Sequence, residues 1–123
     1  MRYFKRYEFL CTCGCRQENM SNFFLKMLDD TRHIAKIPFV VNSGYRCQQK
    51  QQQLRNDGYF TTKDTSPHEK GLACDIRIRN SYERFIVINS WLLIGGTRLG
   101  ISKSFIHLDV DYDRKMHKIW YYI

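Results

Sequence analysis

The segment Phe105-Ile106-His107-Leu108-Asp109-Val110-Asp111 constrains the fold more than any other stretch of the chain. Its alternation is strict. In an extended chain Ile106, Leu108 and Val110 point to one face, and His107, Asp109 and Asp111 to the other. Such a strand needs an apolar layer under one side. An imidazole and two carboxylates on the opposite side are costly to bury without a partner. A divalent cation would be such a partner. A strand whose polar side faces solvent would need none, and spacing alone leaves both open.

The rest of the chain can supply the apolar layer. It has 123 residues, 43% of them hydrophobic and 15% aromatic, which suits one packed domain over residues 1–123 and excludes general disorder. A first helix is expected over about Ser21 to Ala35. Ser21 caps it, and Phe24, Met27, Leu28, Ile34 and Ala35 share a face. Phe39 to Val41 reads as a short buried strand ending at Ser43-Gly44. A polar helix follows around Cys47 to Arg55, then a loop to Pro67. Leu72 to Ile78 is a strand candidate. Asn80 with Glu83 resembles a capping box opening an apolar helix that stops at Gly95-Gly96. Phe105 to Val110 and Ile119 to Ile123 read as two antiparallel strands joined by a turn at Asp111 to Lys115. The fold class is α+β: a small, mainly antiparallel sheet with two to three helices.

Charge and cysteines narrow the setting. The formal net charge is +8, with basic residues scattered from Arg2 to Lys118, Arg98 and Arg114 among them. Such a field favours polyanions. No apolar run approaches the length of a membrane span, and the N-terminus lacks a clean apolar region with a small-residue cleavage site. The expectation is synthesis in the cytoplasm. Five cysteines leave at least one without an intrachain partner, which suits a reducing compartment. Cys11, Cys13 and Cys15 are possible soft ligands that lack an obvious fourth, and a Cys47–Cys74 disulfide is left open. His33 and His117 read as surface residues.

A second polar motif, Ser66-Pro67-His68-Glu69-Lys70-Gly71, leads into the strand that carries Asp75. His68, Asp75 and His107 would make a His-Asp-His set, and three ligands with an open position is how catalytic zinc sites are built.

Three segments together carry a family likeness: Ser43-Gly44-Tyr45-Arg46-Cys47, Ser66-x-His68-x-x-Gly71-x-Ala73-x-Asp75-Ile76, and Phe105-Ile106-His107-x-Asp109-Val110. They resemble the zinc D-Ala-D-Ala carboxypeptidases of peptidase family M15, and most of all the small phage-type branch. Tyr3-Phe4 with Glu8-Phe9-x-Cys11-x-Cys13-Gly14-Cys15 is similar to the N-terminal segment of that branch. The resemblance implies one zinc ion held by His68, Asp75 and His107 at the sheet edge, with Arg46 as the arginine that binds substrate near the scissile amide. Ser66 joins Arg46 as an expected substrate contact. The larger family members carry an acidic residue three positions before the second zinc histidine. Ser104 stands there and cannot act as a base. Asp109 is therefore the expected base, or else an orienting partner of a zinc ligand, with Glu69 a weaker candidate.

The resemblance implies a zinc metallopeptidase, acting as a monomer on peptidoglycan stem peptides, at the cell wall after release or from a virion. Two rivals stand beside it: a zinc-stabilised wall-binding module without turnover, and a basic nucleic-acid-binding protein. No nucleic-acid motif appears, so nucleic acid is not the expected partner.

Overall fold

The computed structural model describes residues 1–59 and 65–122. After a short 3₁₀ turn at Arg6–Phe9, the elements are α1 (Asn22–Ala35), β1 (Val41–Ser43), α2 (Gln48–Asn56), β2 (Ala73–Arg77), α3 (Ser81–Leu93), β3 (Arg98–Ile101), β4 (Phe105–Asp109) and β5 (Lys118–Tyr121). The strands form one sheet in the order β1-β2-β4-β3-β5. All neighbours are antiparallel except β3 and β5, which run parallel. The α+β expectation holds, with three α-helices among the described residues.

The alternation of β4 decides which side of the sheet is filled. Ile106 and Leu108 are fully buried beside Cys74 and Ile76 of β2. Phe24 and Leu28 of α1 and Val87 and Trp91 of α3 complete that layer. Trp91 donates its indole N–H to the Arg98 carbonyl at 3.0 Å, so its one polar atom is satisfied inside the core. The stripe of α1 runs Phe24, Leu28, Thr31, Ala35, spacings of four, three and four. Ile34 sits off that line and is 41% exposed, which corrects its placement on the core face. Asp29 takes a buried place instead, because its carboxylate accepts from the backbone N–H groups of Arg2 and Tyr3 and pins the N-terminus.

The helix starts follow local chemistry. Ser21 accepts from the Phe24 N–H at 3.3 Å, and Asn80 from the Glu83 N–H at 2.9 Å. Only half of the expected capping box forms at α3, since the Glu83 carboxylate accepts from the Arg79 backbone N–H rather than that of Asn80. Replacing Asn80 by Ala should cost about 1 kcal/mol, the usual worth of such a cap. Urea unfolding would measure it, and no loss would mean that the cap is redundant.

Two strand expectations need correction. β1 begins at Val41, two residues later than expected; Phe39 is buried but Val40 is exposed and lends only its carbonyl, to the Arg77 N–H. The Asp111 to Lys115 turn does not join neighbours. β3 forms a hairpin with β4 and occupies that edge, so the chain crosses over and β5 pairs with β3. β3 was missed because Arg-Leu-Gly-Ile, with a central glycine, has little strand character of its own. Part of the loop before Pro67 and Ile123, the expected end of the last strand, lie outside the described residues.

Candidate metal centre and active-site cleft

One row of residues crosses the whole sheet. Ser43 pairs with Asp75, Asp75 with His107, His107 with Gly100, and Gly100 with Trp120. Paired residues share a face, so the row lies opposite the helical core. Asp75, His107 and Trp120 of this row line a cleft of about 490 Å³ together with Arg46, Ser66, His68, Asp109 and Tyr122. Gly100 is needed in that row: a Cβ there would lie 2.5 Å from Trp120 Nε1 and 2.6 Å from the Tyr122 ring. The His-Asp-His set therefore sits over the central strands β2 and β4 and not at the sheet edge.

His68 enters from the turn before β2. Ser66 Oγ accepts from the His68 N–H, and the Glu69 carboxylate accepts from the Ser66 N–H, both at 3.2 Å. Gly71 ends the turn at φ +71°, where a side chain would run into the Asn19 carbonyl. The geometry thus uses Ser66 and Glu69 to shape the His68 turn.

His68, Asp75 and His107 are all buried, and one ligand atom of each lies within 4.8 Å of the others. The proton positions are informative. His68 Nδ1 lies 2.8 Å from the Gly44 carbonyl, which can only accept, so Nδ1 carries the hydrogen. Burial lowers the His68 pKa and outweighs the nearby Asp75 charge, so the ring is neutral. Its Nε2 is then a bare lone pair, and it faces Asp75 Oδ1 at 3.4 Å. Two acceptors turned towards each other in a buried site fit a cation between them. His107 brings Nδ1 to 2.9 Å from the same Asp75 oxygen. The three residues fit a divalent metal by donor type, burial and convergence.

Asp109 meets His107 from its other ring nitrogen. Nε2 lies 2.7 Å from Asp109 Oδ2, while Arg98 Nε donates to Oδ1 at 2.6 Å and the Asp111 N–H to Oδ1 at 3.1 Å. Arg98 is buried, stacks over Trp120 at 4.9 Å and donates to the Lys115 carbonyl. It belongs to this network and not to a diffuse surface field. Sequence reading missed it because an arginine in a weak strand carries no local mark of its partner. Asp111 shares the β4 face but is neutralised by Lys70 at 2.9 Å and Arg114 at 3.0 Å.

Arg46 lies at the rim. Its guanidinium donates to Ser43 Oγ at 2.9 Å, Gln51 Oε1 at 3.4 Å and Asp75 Oδ2 at 3.3 Å. Ser104 is exposed at the β3–β4 turn and does not line the cleft. His33 and His117 are exposed, as expected.

The titrations are coupled. Burial alone would lower His107, but hydrogen bonds to Asp109 and Asp75 and their charges raise it to about 9. Burial would raise Asp75 and Asp109, yet His68 and His107 at Asp75, and His107 and Arg98 at Asp109, hold both below the usual carboxylate range. In chelated protein the His107 contribution to stability is full below about pH 6.5 and is lost as pH climbs to about 9. The depressed His68 works oppositely, since unfolding takes up a proton below about pH 6.5. The site's contribution to stability should peak near about pH 6.5. Urea unfolding with chelator across this range would test it, and no decline on the alkaline side would overturn the His107 assignment.

A family profile described as Peptidase M15 matches residues 2–109. The chain belongs to the peptidase M15 family. That match spans all the residues of the His-Asp-His set and Arg46, and it makes the protein a peptidase of a zinc-dependent family. No curated protein and no solved structure matches the chain. Among the described residues no helix is long and apolar enough to cross a membrane.

Proposed function

We propose that this M15 protein is a zinc metallopeptidase that hydrolyses an amide bond in peptidoglycan stem peptides, either the terminal D-Ala-D-Ala bond or an internal one. The observation that carries the reading is the convergence of His68 Nε2, Asp75 and His107, all buried, in a cleft with an arginine at its rim. In this reading the whole chain acts as one domain and as a monomer. His68, Asp75 and His107 would hold the zinc, which would supply Lewis-acid activation of water and of the peptide carbonyl.

The chain's own groups have separate tasks. Arg46 is held near the reacting centre by Asp75 and Ser43 and would stabilise negative charge on the attacked carbonyl oxygen. Gly44 fixes the His68 tautomer through its carbonyl. Asp109 is best read as a positioning residue. Its oxygens are taken up by His107, Arg98 and a backbone N–H, so it holds the His107 ring from the side away from Asp75. Arg114 and Lys118 line the same cleft as Trp120 and Tyr122, a mixture suited to a peptide that ends in a carboxylate.

Digestion of peptidoglycan with zinc-loaded and chelated protein, read by mass spectrometry of released peptides, tests the function. Cleavage that chelator abolishes supports it. The second reading, a wall-binding module without turnover, is favoured by one observation: the described carboxylates of the cleft, Asp75 and Asp109, are both engaged. Full zinc and wall binding without any released peptide would select that reading.

Arg46→Lys keeps the charge but loses the planar fork that reaches three partners. The variant should fold and bind zinc, and turnover should fall by about tenfold or more. Unchanged turnover would refute substrate binding by Arg46.

A further inference from the structure

Four of the five cysteines converge at a second point. One Sγ each from Cys11, Cys13, Cys15 and Cys47 lies within 4.8 Å of the others. Cys11 to Cys13 is 3.5 Å, Cys11 to Cys47 3.6 Å, and Cys13 to Cys47 3.4 Å. All are free thiols. A disulfide would need about 2.05 Å. A tetrahedron of thiolates around zinc, with Zn–S of about 2.3 Å, has edges of about 3.8 Å. Cys47 supplies the fourth thiol that the Cys-x-Cys-x-Cys run lacks. Cys74 is elsewhere, buried in the core, and does not pair with Cys47.

The backbone is shaped for this convergence. Alternate residues of an extended strand stand nearly 7 Å apart, about 3.3 Å per residue, so three alternating thiols cannot meet without a turn. Here Gly14 at φ +95° and Arg16 at φ +60° fold the loop, and the Cys11 N–H closes it on the Gln17 carbonyl at 2.9 Å. Backbone donors point at the sulfurs: the Cys47 N–H at Cys11 Sγ and the Lys50 N–H at Cys47 Sγ, both at 3.4 Å. Cys47 is also the N-cap of α2, whose positive end favours a thiolate.

We infer that Cys11, Cys13, Cys15 and Cys47 bind a single structural zinc ion that fastens the N-terminal segment to the loop carrying Arg46. Each thiol gives up its proton on binding, and four protein ligands close the coordination shell, so this ion supplies no reactive position. Polynuclear iron–sulfur clusters spread their thiolates around several metal atoms, and sulfurs this close do not leave that room. The fastening is next to the active-site cleft. Cys47 follows Arg46 directly, the Tyr45 N–H bonds the Phe9 carbonyl at 3.0 Å, and the Arg46 N–H bonds the His68 carbonyl at 3.2 Å. The metal would add a cross-link between two segments already joined by the Tyr45–Phe9 hydrogen bond and the close packing of Gly44 on Phe9.

The test separates this site from the His-Asp-His set. Reduced protein is loaded with zinc, dialysed and weighed by native mass spectrometry; a parallel sample is loaded with cobalt. The double variant His68→Ala/His107→Ala should retain one zinc, and its cobalt form should show the thiolate-to-cobalt charge-transfer band. Cys13→Ser/Cys15→Ser, chosen because these two thiols are the less buried pair, should lose that ion and the band. Should the cysteine variant fail to fold, the unmodified protein still decides, because the band reports sulfur ligation directly. Absence of the band from cobalt-loaded unmodified protein, with all four thiols as reactive after zinc loading as before it, would overturn the proposal. A failure of the His-Asp-His set would instead leave the band intact and abolish only the second ion.

Discussion

His68→Ala should leave a folded protein that no longer holds zinc over β2 and β4 and no longer cleaves peptide. Three ligands give little redundancy, and the loss of one removes most of the affinity. His107→Ala should do the same. The two variants differ in their metal-free behaviour. His68 is neutral and donates only to Gly44, so its removal leaves Asp75 with Arg46 and a charged His107. His107 is the cation between Asp75 and Asp109. Removing it takes one buried cation from both carboxylates and leaves Arg46 beside Asp75 and Arg98 beside Asp109, and His107→Ala should therefore be the less stable protein in chelator. The measurements are zinc content, urea unfolding with chelator, and peptide release. Full occupancy of this site in either variant would sink the ligand assignment.

Asp109→Asn separates two roles. If Asp109 positions His107, the amide is a poorer acceptor and zinc affinity should drop by roughly ten- to a hundredfold. Turnover should then recover when zinc is raised to saturation. If Asp109 is instead the general base, zinc affinity should hold and turnover should stay down by about a hundredfold or more at any zinc concentration. The hydrogen bonds favour the first outcome, because His107 Nε2 and Arg98 occupy the carboxylate. A zinc titration of activity reads the difference directly. Normal affinity with normal turnover would exclude both roles.

Much of this was legible in the chain. The β4 alternation identified a strand with an apolar and a functional face, and His107 and Asp109 do share the cleft. Cap residues marked α1 and α3, because Ser21 and Asn80 act within three residues of themselves. Local chemistry of that kind is readable from neighbours in sequence. The family motifs pointed to His68, Asp75 and His107, and those residues do converge.

What the sequence could not determine is pairing across distance. β3 has no strong strand pattern, so the hairpin with β4 and the parallel docking of β5 depend on packing and not on propensity. That pairing puts Trp120 in the row with His107 and brings Arg98 to Asp109. It moves the site from an edge to the sheet centre. Cys47 is 36 residues from Cys11 and joins it only because the β1–α2 loop folds against the N-terminal turn. Composition and period fixed which residues lie on one face of one element. Only the tertiary structure decided which faces meet, because contacts between remote segments are set by register and close packing and leave no trace in local order.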